Sequence, residues 1–280
     1  MADYLTVTDH NRDIQGFKYI YPVVSRRAGG VSIGINLNTN NACNWRCIYC
    51  QVPNLSRGLP PPVDLDVLAH ELRTMLSEIS LGNFMQQYVS EEYRQLKDIA
   101  FSGNGEPTTA KQFPQIISLV EQILTEFKLI NKIKVRVITN GSMIHKSVIL
   151  KSIQHLEKIN GEVWFKLDGG TREDILRVND VNIDPDKHIA HLRLCAELCP
   201  TWVQTCMFSY QNQTYSESQL AAYLTQINKV KDVIQGVLLY GVARPSYQPE
   251  AIDIKQLPIA WLEAFAERIR ALGVTVHVSP

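Results

Sequence analysis

Asn41-Ala42-Cys43-Asn44-Trp45-Arg46-Cys47-Ile48-Tyr49-Cys50-Gln51 sets three cysteines at C-x3-C-x2-C spacing. That spacing brings three thiolates onto one tight loop. Three is one too few for a closed four-cysteine site, so a [4Fe-4S] cluster held here would keep one iron without a protein ligand. An open position is what a metal site needs when it carries out chemistry and does not merely support the fold. The competing reading of the same residues is a structural zinc knuckle or a set of buried free thiols.

Just upstream, Val31-Ser32-Ile33-Gly34-Ile35-Asn36-Leu37 alternates with period two and reads as the first core strand. The cysteines therefore lie just beyond the carboxyl end of a strand, where α/β barrels keep their active sites. Tyr19 to Val24 is strand-like but broken by Pro22, and Ser25-Arg26-Arg27-Ala28-Gly29-Gly30 makes a basic turn. Downstream, Leu59-Pro60-Pro61-Pro62 cannot be helical. Asp64 or Asp66 caps a helix striped by Leu65, Leu68, Leu72, Met75 and Ile79. Residues 80 to 96 read as a partly helical insertion. From there one unit repeats: a short strand, a polar or glycine-bearing turn, then a helix stripe. The strands are Ile99–Phe101, Ile133–Ile138, Val163–Asp168, Trp202–Phe208 and Val233–Tyr240, with Val274–Val278 last. Helix stripes fall at Phe113–Phe127, Val148–Leu156, Ile189–Cys199, Leu220–Ile227 and Trp261–Leu272. Strands alternating with helices imply right-handed crossovers and a parallel sheet. Periodicity alone allows either a barrel or a doubly wound sheet. The absence of a linker predicts one domain over residues 1–280: an extension (1–30), a core (31–250) and a closing helix and strand (251–280).

Bulk properties narrow the function classes. Apolar residues make up 45%, enough for a sizeable core. Lys+Arg and Asp+Glu are both 28, so no overall basic excess advertises nucleic-acid binding. No apolar run approaches the ~20 residues of a membrane span. Met1-Ala2-Asp3-Tyr4 has no signal-peptide character. Six cysteines, three of them clustered, suggest a reducing cytoplasm and not a disulfide scaffold.

The cysteine spacing, with Tyr49 just before the last cysteine, resembles the cluster loop of the radical S-adenosylmethionine (SAM) superfamily. Gly103-Asn104-Gly105-Glu106 resembles the same superfamily's glycine-glycine-glutamate motif, with an asparagine where many members carry a small residue. The resemblance implies a partial (β/α)6 barrel of parallel strands with flanking helices. It implies a [4Fe-4S] cluster on Cys43, Cys47 and Cys50, and SAM as cofactor. Gly103, Asn104, Gly105 and Glu106 would meet the methionine amino group, and Tyr49 the adenine. Lys166 and Asp168 would meet the ribose or carboxylate, with Asn140 and Gln204 as further candidates. The implied reaction is reductive cleavage of SAM to methionine and a 5'-deoxyadenosyl radical, which takes hydrogen from a substrate. A low-potential donor of flavodoxin- or ferredoxin-like kind is the implied partner.

A closer resemblance joins Tyr21 to Asn36, and Tyr240-Gly241-Val242-Ala243-Arg244-Pro245, to small radical SAM proteins grouped with the tRNA wybutosine-synthesis enzymes. The enzymes proper carry extra N-terminal cysteines, and this chain has none before Cys43. The substrate class stays open between an RNA base and a small molecule. Arg26, Arg27 and Arg244 are candidate substrate contacts, the first two if the segment from Tyr19 to Gly30 wraps the open flank of the barrel. Cys195, Cys199 and Cys206 read as core packing, with an auxiliary cluster as the alternative. The seven histidines form no metal pattern. The competing function is an iron-sulfur electron-transfer or cluster-carrier protein, which has no need of a glutamate facing SAM.

Overall fold

Alternation along each strand decides which side chains meet the helices. The computed structural model describes Leu5, residues 16–25 and residues 28–279. In chain order the elements are β1 (Ile20–Ser25), β2 (Gly30–Ile35), β3 (Ala42–Cys43), β4 (Ser56–Arg57), α1 (Leu65–Ser80), α2 (Phe84–Tyr88), β5 (Leu96–Phe101), α3 (Phe113–Glu126), β6 (Lys134–Thr139), α4 (Ser147–Lys158) and β7 (Gly161–Lys166). Then follow α5 (Arg172–Asn179), α6 (Pro185–Ala196), β8 (Thr201–Met207), β9 (Ser209–Tyr210), α7 (Glu217–Asn228), β10 (Gly236–Gly241), β11 (Ile254–Lys255), α8 (Ile259–Arg270) and β12 (Val276–Ser279). The main sheet runs β1-β2-β5-β6-β7-β8-β10-β12. All its neighbours are parallel except β1, which is antiparallel to β2. The sheet curls into a half-barrel with helices outside, so the sequence-based expectation of a partial parallel barrel holds.

The odd-numbered residues of the central strands, Ile33, Ile99, Val135, Val163, Val203 and Val237 among them, are fully buried in one core with the helix stripes. That shared apolar surface supplies most of the driving force for docking the helices. The opposite face lines the barrel interior. At its amino end the interior is polar: Arg136 bridges Asp98 and Glu162, Ser32 bonds Asp98, and the Trp164 indole donates to Glu162 at 3.0 Å. Charges buried this deeply need such partners.

Three local expectations are corrected. Pro22 does not break β1, because β1 is an edge strand and its missing N–H costs no ladder bond. α5 was not foreseen. The stripe Ile189–Cys199 outruns its helix: α6 ends at Ala196, and Cys199 lies one turn past Cys195, its N–H bonding the Cys195 carbonyl at 3.0 Å. The hairpin from β1 pairs Ser25 with Gly30 at the amino end of β2; Arg26 and Arg27 lie outside the described residues.

Gly34 makes room for the edge strand's contribution to the interior. Tyr21 lies across it, its hydroxyl 2.8 Å from Ser102 Oγ. A Cβ on Gly34 would fall 2.1 Å from the Tyr21 ring. Gly34→Val is therefore expected to destabilise the fold by about 1–3 kcal/mol, the usual cost of overpacking. Urea denaturation reads this directly; an unchanged midpoint would mean that Tyr21 swings away without cost.

Candidate active site at the mouth of the half-barrel

The carboxyl ends of the strands open onto a cavity of about 350 Å3. Cys43, Cys47 and Cys50 line it, together with the Gly103–Glu106 turn after β5. All three cysteines are half-buried. Three parts of the chain hold their loop. The β3–β4 ladder pairs Ala42–Cys43 with Ser56–Arg57. The end of α5 accepts Arg46 N–H on the Asn179 carbonyl (3.2 Å) and Ile48 N–H on the Val178 carbonyl (2.9 Å). The segment after β10 completes the clamp: Ser246 Oγ donates to the Ile48 and Cys50 carbonyls, and Gln248 Nε2 to those of Cys50 and Val52. The Arg46 side chain spans both supports, bonding Asp180 at 2.8 Å and Glu250 through a two-pronged pair at 2.9 and 2.8 Å.

Burial pushes the Cys43 and Cys47 thiols up to about 12. Without a metal they are neutral, and a bound iron must displace their protons. Among the described residues no three His, Cys, Asp or Glu side chains converge on a single-ion position. A zinc knuckle requires such convergence. A cubane cluster does not, because each thiolate takes a different iron.

The glycines of the turn line the cavity and also permit a close approach within the chain. A Cβ on Gly105 would fall 2.3 Å from the Ala42 carbonyl oxygen, and one on Gly103 2.5 Å from Asn36 Oδ1. The close approach they allow is to the chain's own segment leading into Cys43. Asn104 is tied there too, through Asn41 Oδ1 at 2.6 Å, while its own Oδ1 is buried and accepts no hydrogen bond. Glu106 is 2% exposed. Its Oε1 accepts from Thr108 N, Thr108 Oγ1 and Thr139 Oγ1, and its Oε2 from Asn140 N at 2.6 Å. Every one of these donors is neutral. Burial therefore holds the carboxyl above its usual range despite them. A carboxylate in this setting has room on Oε2 for one more donor, and a cation is the donor that would offset its burial.

Under the loop lies a second polar cluster. Asp168 is wholly enclosed: it accepts Tyr49 Oη (2.5 Å), Asn179 Nδ2 (2.8 Å) and Cys206 N–H (2.9 Å), and pairs with Lys166 at 3.3 Å. It does not line the cavity; Lys166, Tyr49, Asn140 and Gln204 do. Lys166 Nζ lies 4.9 Å from the ring centres of both Tyr49 and Tyr240, and bonds Tyr240 Oη at 2.5 Å. Burial, the largest single influence, lowers the Lys166 ammonium, but Asp168 together with Tyr240, Cys206 and Cys47 outweighs it and holds it raised. Arg244 lies at the mouth of the same cavity. Cys206 lines it as well, whereas Cys195 and Cys199 belong to the core outside the sheet.

His188 supports the floor from α6. Its Nε2 is 2.8 Å from the Lys166 carbonyl, and its ring packs on Trp45 and Phe165. Burial pushes it down to about 4 from 6.5. The unfolded chain takes up this proton first, so stability should fall as pH drops from about 6.5 toward 4. His188→Gln should flatten that limb in urea denaturation across pH; an identical slope would put the acid sensitivity elsewhere.

Sequence reasoning missed Asn179, Asp180, Ser246 and Gln248. The signal for the first two was Thr171-Arg172-Glu173-Asp174, a capping pattern in which Thr171 Oγ1 accepts Asp174 N–H. Ser246 and Gln248 carry no local signal, since they act on a loop about 200 residues away.

The fold and site define an α/β half-barrel with three thiols at its mouth beside a buried carboxylate, all around one cavity. The Radical SAM superfamily model matches residues 37–224. The chain belongs to the radical SAM superfamily, and so is an enzyme, of a reaction the family alone does not specify. A protein of Brachyspira hyodysenteriae (strain ATCC 49526 / WA1) named GTPase Obg is 27% identical over 215 residues. The match covers 75% of this chain but only 28% of that protein, so the chain spans about a quarter of this relative's length. A radical SAM methyltransferase from Sphaerobacter thermophilus superposes with a TM-score of 0.60 at 14% identity, covering 95% of this chain and 71% of that one. The protein anSMEcpe, solved with bound AdoMet, superposes with a TM-score of 0.56 at 16% identity, covering 88% and 63%. At such identities these two speak for the fold alone. No helix among the described residues is long and apolar enough to cross a membrane.

Proposed function

We propose that the chain holds a [4Fe-4S] cluster on Cys43, Cys47 and Cys50, binds SAM beside it, and uses the pair to abstract hydrogen from a substrate. The observation that carries this reading is the shared cavity: the three thiols and the Glu106 turn open onto the same space. Held by Cys43, Cys47 and Cys50, the cluster would supply the electron for reductive cleavage of SAM, and the SAM adenosyl group would take the substrate hydrogen.

The chain's part is binding and exclusion. Glu106 Oε2 and Asn104 Oδ1 have the free acceptor capacity that an ammonium needs. Tyr49, Asn140, Lys166 and Gln204 form walls suited to the nucleoside and carboxylate ends. Arg244 would meet an anionic portion of the substrate at the mouth. The reductant would be a small low-potential donor, flavodoxin- or ferredoxin-like.

Substrate class separates by assay. Reconstituted protein is incubated anaerobically with reductant, SAM, and either metabolite or RNA fractions, and 5'-deoxyadenosine is quantified. A fraction that raises its yield contains the substrate. A tRNA gel shift that weakens steeply with salt would favour RNA. No response to any fraction, with SAM left intact, would contradict the enzyme reading.

A further inference from the structure

Asn179 sits where α5 ends, 1% exposed, between the cluster loop and Asp168. Its backbone carbonyl holds Arg46 N–H. Its side-chain amide does something else. Nδ2 donates to Asp168 Oδ2 at 2.8 Å and lies 3.2 Å from Cys47 Sγ. An amide nitrogen has two hydrogens, so it can serve both. Cys47 Sγ thus receives a side-chain N–H, and Asp168 lies just behind that donor. This ligand sulfur is tied to a buried amide whose other hydrogen is fixed by a carboxylate.

We infer that Asn179 is a positioning residue that sets the reduction potential of the cluster through its hydrogen bond to the Cys47 sulfur, with Asp168 orienting the amide and opposing it electrostatically. The inference rests on the cluster reading proposed above. Its physics is simple. Reduction adds negative charge to the cluster and its sulfurs, and a hydrogen bond to sulfur favours the more electron-rich state. The Asn179 donor thus raises the potential, and the Asp168 charge lowers it. Their opposition predicts opposite signs on removal.

The test uses the full chain as wild type, Asn179→Leu, Asn179→Gln and Asp168→Asn, reconstituted anaerobically. Iron and sulfide content of the wild type is measured first. A wild type without a four-iron cluster overturns the cluster reading, and this inference with it. With the cluster present, the potential is read by redox titration with electron paramagnetic resonance of the reduced state. Asn179→Leu should shift it more negative, Asp168→Asn more positive, and Asn179→Gln should return toward wild type. A merely structural role, in which either change loosens the loop and admits water, would move both variants the same way. Same-sign shifts, or no shift in Asn179→Leu, overturn the inference while leaving the cluster reading intact. Thermal melting of the metal-free variants checks that each folds; should Asn179→Leu fail, Asn179→Ala takes its place with the same expected negative shift, and Asp168→Asn still decides by the sign of its own.

Discussion

A variant with Cys43, Cys47 and Cys50 all changed to alanine is expected to lose essentially all iron, where the reconstituted wild type binds about four irons per chain. The expectation follows from how the remaining thiols are placed. Cys195 and Cys199 are buried in the core formed by the sheet and its outer helices. Cys206 is on the other face of β8, packed with Ile48, Val178 and Phe208. No cluster can be shared across the sheet between them. Burial also holds all three up, Cys195 to about 12 and the other two higher still, as in thiols that serve as small apolar core residues. The variant should keep its fold, because the loop is held by backbone pairs, Arg46, Ser246 and Gln248, none of which uses a cysteine sulfur. Iron content by colorimetry and secondary structure by circular dichroism check both halves. A full iron complement in the variant would move the ligand set elsewhere.

The second large effect belongs to Glu106. Glu106→Gln keeps the size and removes the charge, and it turns its amide nitrogen toward Asn140 N–H, which loses its acceptor. If the carboxylate receives the SAM ammonium, losing one charge-assisted hydrogen bond of about 1.5–3 kcal/mol weakens binding roughly 10- to 100-fold. Glu106→Ala adds a structural cost. Thr108 N, Asn140 N and two threonine hydroxyls lose their acceptor in a buried place. That is expected to lower stability by about 1–3 kcal/mol or more. Calorimetric titration with SAM separates the two contributions. Unchanged SAM affinity in Glu106→Gln would leave the residue as a brace between β5 and β6 and nothing else.

What the sequence revealed follows from where the information is local. Period-two runs such as Val31–Leu37 and Val163–Asp168 mark strands because one face must be apolar, and that face is the one now buried under the helices. The cysteine loop was legible because metal ligands must be close in sequence to share one tight loop. α5 was not legible by stripe: Arg172–Asn179 is charged at half of its positions and buries only Ile175 and Val178 among its apolar residues. With it went Asn179 and Asp180, two residues that grip the cluster loop. Lys166 and Asp168, expected together at the ribose or carboxylate, take different places: Lys166 lines the cavity, while Asp168 lies beneath and is held by four partners. Alternation holds only while the strand does, and β7 ends at Lys166.

The central claim is that the thiol loop and the Glu106 turn serve one SAM-cleaving site. It is tested most directly by incubating the reduced, reconstituted protein with SAM under anaerobic conditions and quantifying the products. The account predicts 5'-deoxyadenosine and methionine in equal amounts from the wild type, and neither from the variant lacking Cys43, Cys47 and Cys50. Intact SAM with a fully loaded, reduced wild-type protein, or undiminished cleavage by the variant, would contradict it.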